Sequence, residues 1–156
     1  MRVAVVLAVL LAAACGSEGS GTALNIAQLK FAVMRSVGEP QFCDPDLYPV
    51  ARAGGEVAGA LAAFPAISGD KPTYSAILAY EHLPTGPLPD EDKLVVYRAW
   101  KLLQALALTH ASADYTFKYR VEPARGSYQM VGGAVQTDGA VKVTSRSASG
   151  PPVCPL

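Results

Sequence analysis

The spacing of apolar residues predicts four helices in the first two thirds of the chain. Residues 24–37 place apolar side chains three or four positions apart, and Gly38 follows as a stop signal. An alanine-rich second helix is expected over 50–64 and a short third one over 74–82. Residues 91–109 are apolar on nearly every side, which is typical of a mostly buried helix. We therefore expect the fourth helix to be the central element of the fold.

Cap residues and glycines refine these helix boundaries. Asp90 is a good N-cap for the fourth helix, and Asp70 or Thr73 could cap the third. A glycine inside a helix costs about 1 kcal/mol relative to alanine. The expected second helix is weakened by three of them: Gly54, Gly55 and Gly59.

Beyond the fourth helix the period of the apolar pattern changes to two. Aromatic and aliphatic residues alternate with polar ones over 115–122, which predicts a half-buried strand. A second strand is expected over 128–136, where Gly132-Gly133 indicates a bulge or a close backbone approach. Asp138-Gly139 is a hairpin signal, and a third strand follows over 140–147.

These elements predict an α+β fold. We expect N-terminal helices, among them the long central helix at about 91–109, packed on a C-terminal antiparallel three-stranded β-meander. The residues from 23 to 156 are enough for a single globular domain with its own core.

The first fifteen residues have the composition of an export signal. Arg2 and the amino terminus are positive, the run from Val3 to Leu11 is apolar, and three alanines precede Cys15. A membrane-spanning helix needs about 20 apolar residues. Only twelve residues separate Arg2 from Cys15 and a glycine-serine stretch follows, so we expect a cleaved signal rather than a permanent span.

This arrangement resembles the signal sequence of a bacterial lipoprotein. In that family a peptidase cuts just before the cysteine, whose thiol carries a diacylglycerol. The resemblance therefore implies a signal peptide over 1–14, lipidation at Cys15 and anchoring to the outer face of the cytoplasmic membrane or to the outer membrane. The family pattern usually has leucine where this chain has Ala12. Ala12-x-Ala14 also fits ordinary signal peptidase, which would release a secreted protein, and both routes stay open.

Residues 15–22 are then expected to be the lipidated cysteine and a flexible tether. The glycine-serine composition of 16–22 is typical of a flexible coil, and seven such residues would reach roughly 15 Å. The segments around Cys43 and Cys154 are also similar to those of uncharacterised bacterial lipoproteins, a likeness that implies no activity.

The number of cysteines bears on both the compartment and the fold. If Cys15 is lipidated, Cys43 and Cys154 remain as an even pair, and an exported protein favours a disulfide between them. The alternative is a metal-binding thiol, but two cysteines without a nearby histidine make a poor site. We predict the disulfide and no metal site.

Charge excludes some classes of partner. The chain has 13 basic and 13 acidic side chains and no basic stripe or acidic block. This balance argues against nucleic acid as a partner. The sequence also lacks a nucleophile elbow and a phosphate-binding loop, so we expect a non-catalytic protein without a cofactor.

A few residues are candidates for chemistry, each with a structural alternative. Asp44 and Asp46 could offer oxygens to Ca²⁺, but a turn is favoured because no loop supplies the remaining ligands. His82 and His110 lack metal spacing and suit helix C-termini.

The remaining candidates could contact a ligand or a partner. Arg98 and Lys101 lie on a polar helical stripe with Gln104, which could meet an acidic ligand or simply face solvent. Four aromatic residues on neighbouring strands could line a pocket or form the core face: Tyr115, Phe117, Tyr119 and Tyr128.

Two classes of function stay open at this point. The first is an envelope lipoprotein that binds a protein partner or associates with the envelope without catalysis. The second is a small-ligand carrier or hydrolase in the envelope. A cavity above about 300 Å³ with converging polar groups would favour the second class, and a flat, exposed apolar patch would favour the first.

Overall fold

The helical part comprises four helices joined by connections of very different length. The computed structural model describes residues 23–155. Cys15 and the expected signal lie outside them. The helices are α1 (Ile26–Val37), α2 (Gly55–Gly69), α3 (Lys71–Glu81) and α4 (Asp90–Ala105). None of the helices in the described residues is long and apolar enough to span a membrane.

The strands form one antiparallel sheet. They are β1 (Thr109–Ala111), β2 (Asp114–Ala124), β3 (Ser127–Val135) and β4 (Val141–Ser149), paired in the order in which they occur along the chain. The α+β prediction is confirmed. The sheet has four strands, however, and the prediction of three is wrong by one.

The missing strand β1 begins at Thr109, where the sequence predicts the end of the long helix. That helix ends at Ala105, and Leu106 is already extended and fully buried. Leu106 and Leu108 both pack towards the core although they are only two positions apart, which is the period of an extended segment. In a run that is apolar on nearly every side, this change of period is not visible in the sequence. Thr109 then pairs with Thr116 across a tight hairpin. His110 therefore lies on a strand, and its ring meets Tyr115 edge to face.

The second helix also differs from its prediction, because it begins five residues later. Gly54 and Gly55 have φ of 78° and 65°, in the left-handed region that favours glycine. They turn the chain at the start of α2 instead of weakening its interior. The helix then continues past Phe64 to Gly69, and Asp70 caps α3 by accepting a hydrogen bond from the Thr73 amide.

Other turn signals are found where the sequence places them. Gly38 ends α1 with φ of 115°. The N-cap of α4 is Pro89 rather than Asp90, and three acidic residues occupy its first turn. The β3–β4 pairing shifts register between Gly132 and Gly133, which confirms the bulge. A Cβ on Gly133 would lie 2.6 Å from the ring of Phe117, so only glycine fits that close approach.

The core joins the four helices to the inner face of the sheet. Helix α1 is the helix that approaches β3 and β4 most closely, whereas α4 packs mainly on α2. The expected packing of the sheet on the long helix is therefore not confirmed. The largest fully buried side chains come from helices and strands alike: Leu29, Ile77, Leu106, Val33, Val96, Val121, Val131 and Val135.

A disulfide closes the fold. Cys43 and Cys154 are bonded, with their Cα atoms 5.3 Å apart. The bond ties the turn after α1 to the tail after β4 and confirms the predicted pairing. Because the two cysteines are 111 positions apart in the chain, the bond restricts the unfolded state strongly.

We expect the double variant Cys43→Ser, Cys154→Ser to lose about 2–5 kcal/mol of unfolding free energy, because the unfolded chain regains the entropy of an open loop. Denaturant titration monitored by circular dichroism measures this loss. The oxidised wild type should shift by a similar amount on reduction, and the double variant should not respond to the reductant. A wild type whose midpoint is unchanged by reduction would contradict the expectation.

Candidate functional site: a buried lysine among three carboxylates

The most unusual side chain in the described residues is Lys101 on α4. Its side chain is only 4% exposed. Lysine is almost never buried unless its charge is paired. The expectation that Lys101 lies on a solvent-exposed stripe is therefore wrong, although its neighbours on that stripe, Arg98 and Gln104, are exposed.

Three carboxylates surround the Lys101 ammonium. Its Nζ donates to Asp44 Oδ2 at 2.7 Å, to Asp46 Oδ2 at 3.1 Å and to Glu56 Oε1 at 2.7 Å. Three donors therefore meet three acceptors, so the hydrogen-bonding capacity of the ammonium is filled. We call these four residues the Lys101 cluster.

The two aspartates reach Lys101 because of a tight turn. Asp44 Oδ1 accepts a hydrogen bond from the Asp46 amide, and the Asp44 carbonyl accepts from the amides of Leu47 and Tyr48. The predicted turn is confirmed at these residues. The same turn places both carboxylates on its inner side, where Asp46 is 2% exposed.

Further partners complete the cluster and balance its charge. Arg52 Nε donates to Asp46 Oδ1 at 2.6 Å, and the Tyr97 hydroxyl donates to the same oxygen at 3.1 Å. Arg98 donates twice to Glu56 Oε2, at 2.9 and 2.6 Å. Three acidic residues are thus matched by Lys101 and the two arginines.

Gly59 explains how α2 comes so close to the cluster. A Cβ on Gly59 would lie 2.9 Å from Asp46 Oδ1 and 3.0 Å from the Tyr97 hydroxyl oxygen. The sequence marks Gly59 as a weakness of the helix. In the structure it leaves the space that the buried carboxylate occupies.

The charged groups of the cluster stabilise one another in their ionised forms. Burial alone would lower the pKa of Lys101, but the hydrogen bonds that it donates to Asp44, Glu56 and Asp46 outweigh this effect and the pKa is raised. Burial would raise the pKa of Asp46, yet its bonds to Lys101 and Arg52 hold that pKa below its ordinary value. The hydrogen bond from Arg98 lowers the pKa of Glu56 in the same way.

These properties indicate a structural rather than a catalytic cluster. A lysine with a raised pKa stays protonated and cannot act as a base or nucleophile near neutral pH. The three carboxylates lie close enough together to suit a metal ion. Lys101 Nζ, however, already contacts one oxygen of each, and its positive charge would repel a cation.

An open apolar hollow lies beside the cluster. It has a volume of about 370 Å³. Seven residues line it: Phe42, Cys43, Pro45, Trp100, Lys101, Gln104 and Ala105. Because the Lys101 ammonium is directed at the carboxylates, the Gln104 amide is the main polar group left for a ligand. We call this feature the Trp100 hollow.

The loop next to the hollow exposes large apolar side chains. Leu47 is 58% exposed, Val50 is 79% exposed, and Tyr48 is exposed between them. The backbone of this loop is held by the Asp44 turn and by the disulfide at Cys43. The 42–50 loop therefore presents apolar groups from a fixed position.

The aromatic candidates do not form a single surface. Phe117 and Tyr119 are buried in the core, and Tyr115 packs against it. Tyr119 also donates a hydrogen bond to the Gly38 carbonyl at 2.8 Å. Tyr128 adjoins Gln129, which pairs with Val121 on the core face, so Tyr128 lies on the opposite face of the sheet. Neither Arg98 nor Lys101 is brought to these aromatic residues.

The sequence pattern could not reveal the cluster. Asp44, Asp46 and Glu56 are separated from Lys101 by 45–57 positions. Asp44 and Asp46 read as turn residues, and Lys101 as part of a polar stripe. The only local signal is Lys101 itself, which stands in a helix whose other residues are apolar on most sides.

Comparison with known proteins adds no information about the function. No protein-family model matches the chain, and comparison with curated proteins and with solved structures gave no significant match.

We expect Lys101→Met to lower the unfolding free energy by about 3–5 kcal/mol at neutral pH, because it removes the cation that the three carboxylates share and leaves the buried Asp46 with Arg52 alone. The matched control on the same helix is Arg98→Met, which should cost at most about 1 kcal/mol because that pair is exposed. Denaturant titration measures both. Equal losses of unfolding free energy for the two variants would contradict the expectation that the buried ion pairs of Lys101 stabilise the fold more than the exposed pair of Arg98 and Glu56.

The effect of Lys101→Met should also depend on pH. Asp46 and Glu56 have lowered pKa values, so their pairing stabilises the fold above the ordinary carboxyl pKa of about 4 and fades as pH falls through the folded-state values. The difference between wild type and Lys101→Met should therefore shrink below about pH 4. A difference that stays constant from neutral to acid pH would refute this account.

Proposed function

We propose that the protein is an exported, lipid-anchored module of a bacterial cell envelope that binds a protein partner without catalysis. Two observations support the two parts of the proposal. The disulfide supports the location, and the exposed apolar surface of the 42–50 loop supports the binding role.

The cysteines support the proposed location in the cell envelope. The bond between Cys43 and Cys154 uses two of the three cysteines in the sequence. A disulfide of this kind is typical of an oxidising compartment outside the cytoplasm. Within one chain Cys15 then has no cysteine partner, and it stands directly after the apolar, lipoprotein-like signal. Lipidation would give this thiol a role, and two acyl chains would suffice for stable anchoring.

The 42–50 loop and the Trp100 hollow support the proposed binding of a protein partner. Leu47, Tyr48 and Val50 are exposed, and Trp100, which lines the hollow with Phe42 and Pro45 of the same loop, is partly exposed. Aromatic and large apolar groups of this kind are enriched where proteins bind partners. A loop that is already fixed loses little conformational entropy on binding, which favours affinity.

The alternative function is a small-ligand carrier or hydrolase in the envelope. Its support is the volume of the Trp100 hollow, which is large enough for a small ligand. The hollow is open and offers few polar groups to orient a substrate, and the nearby carboxylates are paired with cations. Partner binding is therefore the better-supported function.

We expect wild-type protein produced in bacteria to incorporate a labelled fatty acid and to partition into detergent, because Cys15 would carry acyl chains. Cys15→Ser should lose both properties. The matched control is the double variant Cys43→Ser, Cys154→Ser, which should keep the label. A wild type without label would rule out the anchor.

We expect a photo-crosslinking amino acid at Leu47 or Gln104 to give the same discrete protein adduct in intact envelopes, because both positions border the proposed binding surface. Thr116, exposed on the outer face of the sheet, is the control position and should not give it. Mass spectrometry identifies the adduct. Adducts of small molecules instead of a protein would favour the carrier, and identical products from all three positions would refute the assigned surface.

A further inference from the structure

Helix α2 is apolar on all sides, yet one side of it faces outwards. A helix that is apolar all round is normally buried. The inner side of α2 packs on α4 and includes the buried residues Gly59, Ala60 and Ile67. Its other side is exposed: Val57, Ala58, Leu61, Ala62, Pro65 and Ala66. We call these six residues the α2 outer face.

The α2 outer face is one continuous apolar strip. Its members are spaced four apart in two adjacent rows, so they lie above one another along the helix. Val57 is 51% exposed and Leu61 is 41% exposed. None of the six residues is charged, and the one charged residue of α2, Glu56, is bound to Lys101 and Arg98.

The tether enters the fold close to one end of this helix. The Asn25 side-chain amide donates to the Pro72 carbonyl at 3.4 Å, and Pro72 lies three positions beyond Gly69, the last residue of α2. The described part of the chain begins at residue 23, two positions before Asn25. The segment that connects Cys15 to the domain therefore arrives beside the C-terminal end of α2.

The length of that segment limits how far the anchor can be. By its composition, a glycine-serine segment of the length of 16–22 has an expected end-to-end distance of roughly 15 Å as a coil and about 25 Å when fully extended. Helix α2, with 15 residues, is about 22 Å long. On the proposed anchoring, the distance between the membrane that holds Cys15 and the end of α2 would thus be comparable with the length of this helix.

We propose that the α2 outer face lies on the lipid bilayer that holds the acyl chains of Cys15. This inference rests on the proposed lipid anchor. Apolar side chains on one side of a helix are buried at the boundary between headgroups and acyl chains in interfacial helices. Because the α2 outer face is uncharged, its contact with lipid does not depend on anionic headgroups and persists at high salt.

The test uses mature, lipidated protein in vesicles of phosphatidylcholine whose acyl chains carry bromine. Leu61→Trp places a fluorophore on the α2 outer face, and Thr116→Trp places the matched control on the outer face of the sheet. Trp100 is the single tryptophan of the wild type, which sets the baseline. Flotation of the vesicles shows anchoring, and circular dichroism shows that each variant is folded.

The expected result is loss of most of the added emission for Leu61→Trp and none for Thr116→Trp, unchanged in about 1 M salt, where the Debye length is only about 3 Å. Flotation without quenching at residue 61 overturns the bilayer contact and leaves the anchor intact. Protein that fails to float overturns the anchor, and with it this inference. A dimer that dissociates on Leu61→Asp would assign the α2 outer face to a second copy instead.

Discussion

The buried Lys101 ammonium is the constraint on which the arrangement of the helices and the 42–50 loop depends. A charge in the interior costs several kcal/mol unless it is paired and fully hydrogen-bonded. Its three acceptors come from two places, the turn at Asp44 and Asp46 and the first turn of α2 at Glu56. If either moved away from α4, the buried ammonium would lose one or two of the three acceptors that compensate its burial. The cluster therefore sets the mutual position of α2, α4 and the loop.

Charged side chains usually face solvent and large apolar ones face the core. On two elements this constraint reverses that distribution. In the 42–50 loop the aspartates point inwards while Leu47 and Val50 are exposed. On α2 the carboxylate of Glu56 points towards Lys101 while Leu61 faces outwards. The carboxylates that would otherwise make these surfaces polar point towards Lys101 instead. The exposed apolar groups are thus a consequence of the same interaction that stabilises the fold.

The sequence predicts those features that depend on neighbouring residues and not those that depend on distant ones. The strand of alternating residues at 115–122, the bulge at Gly132-Gly133 and the stop at Gly38 follow from local chemistry, and the structure has them. The cysteine pairing followed from counting. Strand β1 was missed because the apolar run before it hides the end of the long helix, and Lys101 was misplaced because the carboxylates that bury it are distant in the chain.

The two proposed surfaces are linked by the geometry of α2. The 42–50 loop leads into its N-terminal end through Arg52, whose carbonyl accepts a hydrogen bond from the Gly55 amide. Asn25, near the start of the described chain, contacts Pro72 just beyond the C-terminal end of α2, so the proposed tether would arrive beside that end. A helix that lies along a bilayer keeps both of its ends near the lipid, so the loop and the Trp100 hollow would stay close to the membrane. A partner that contacts Leu47 and Trp100 would then have to be bound to the same membrane or extend to its surface, which restricts the partner to envelope proteins.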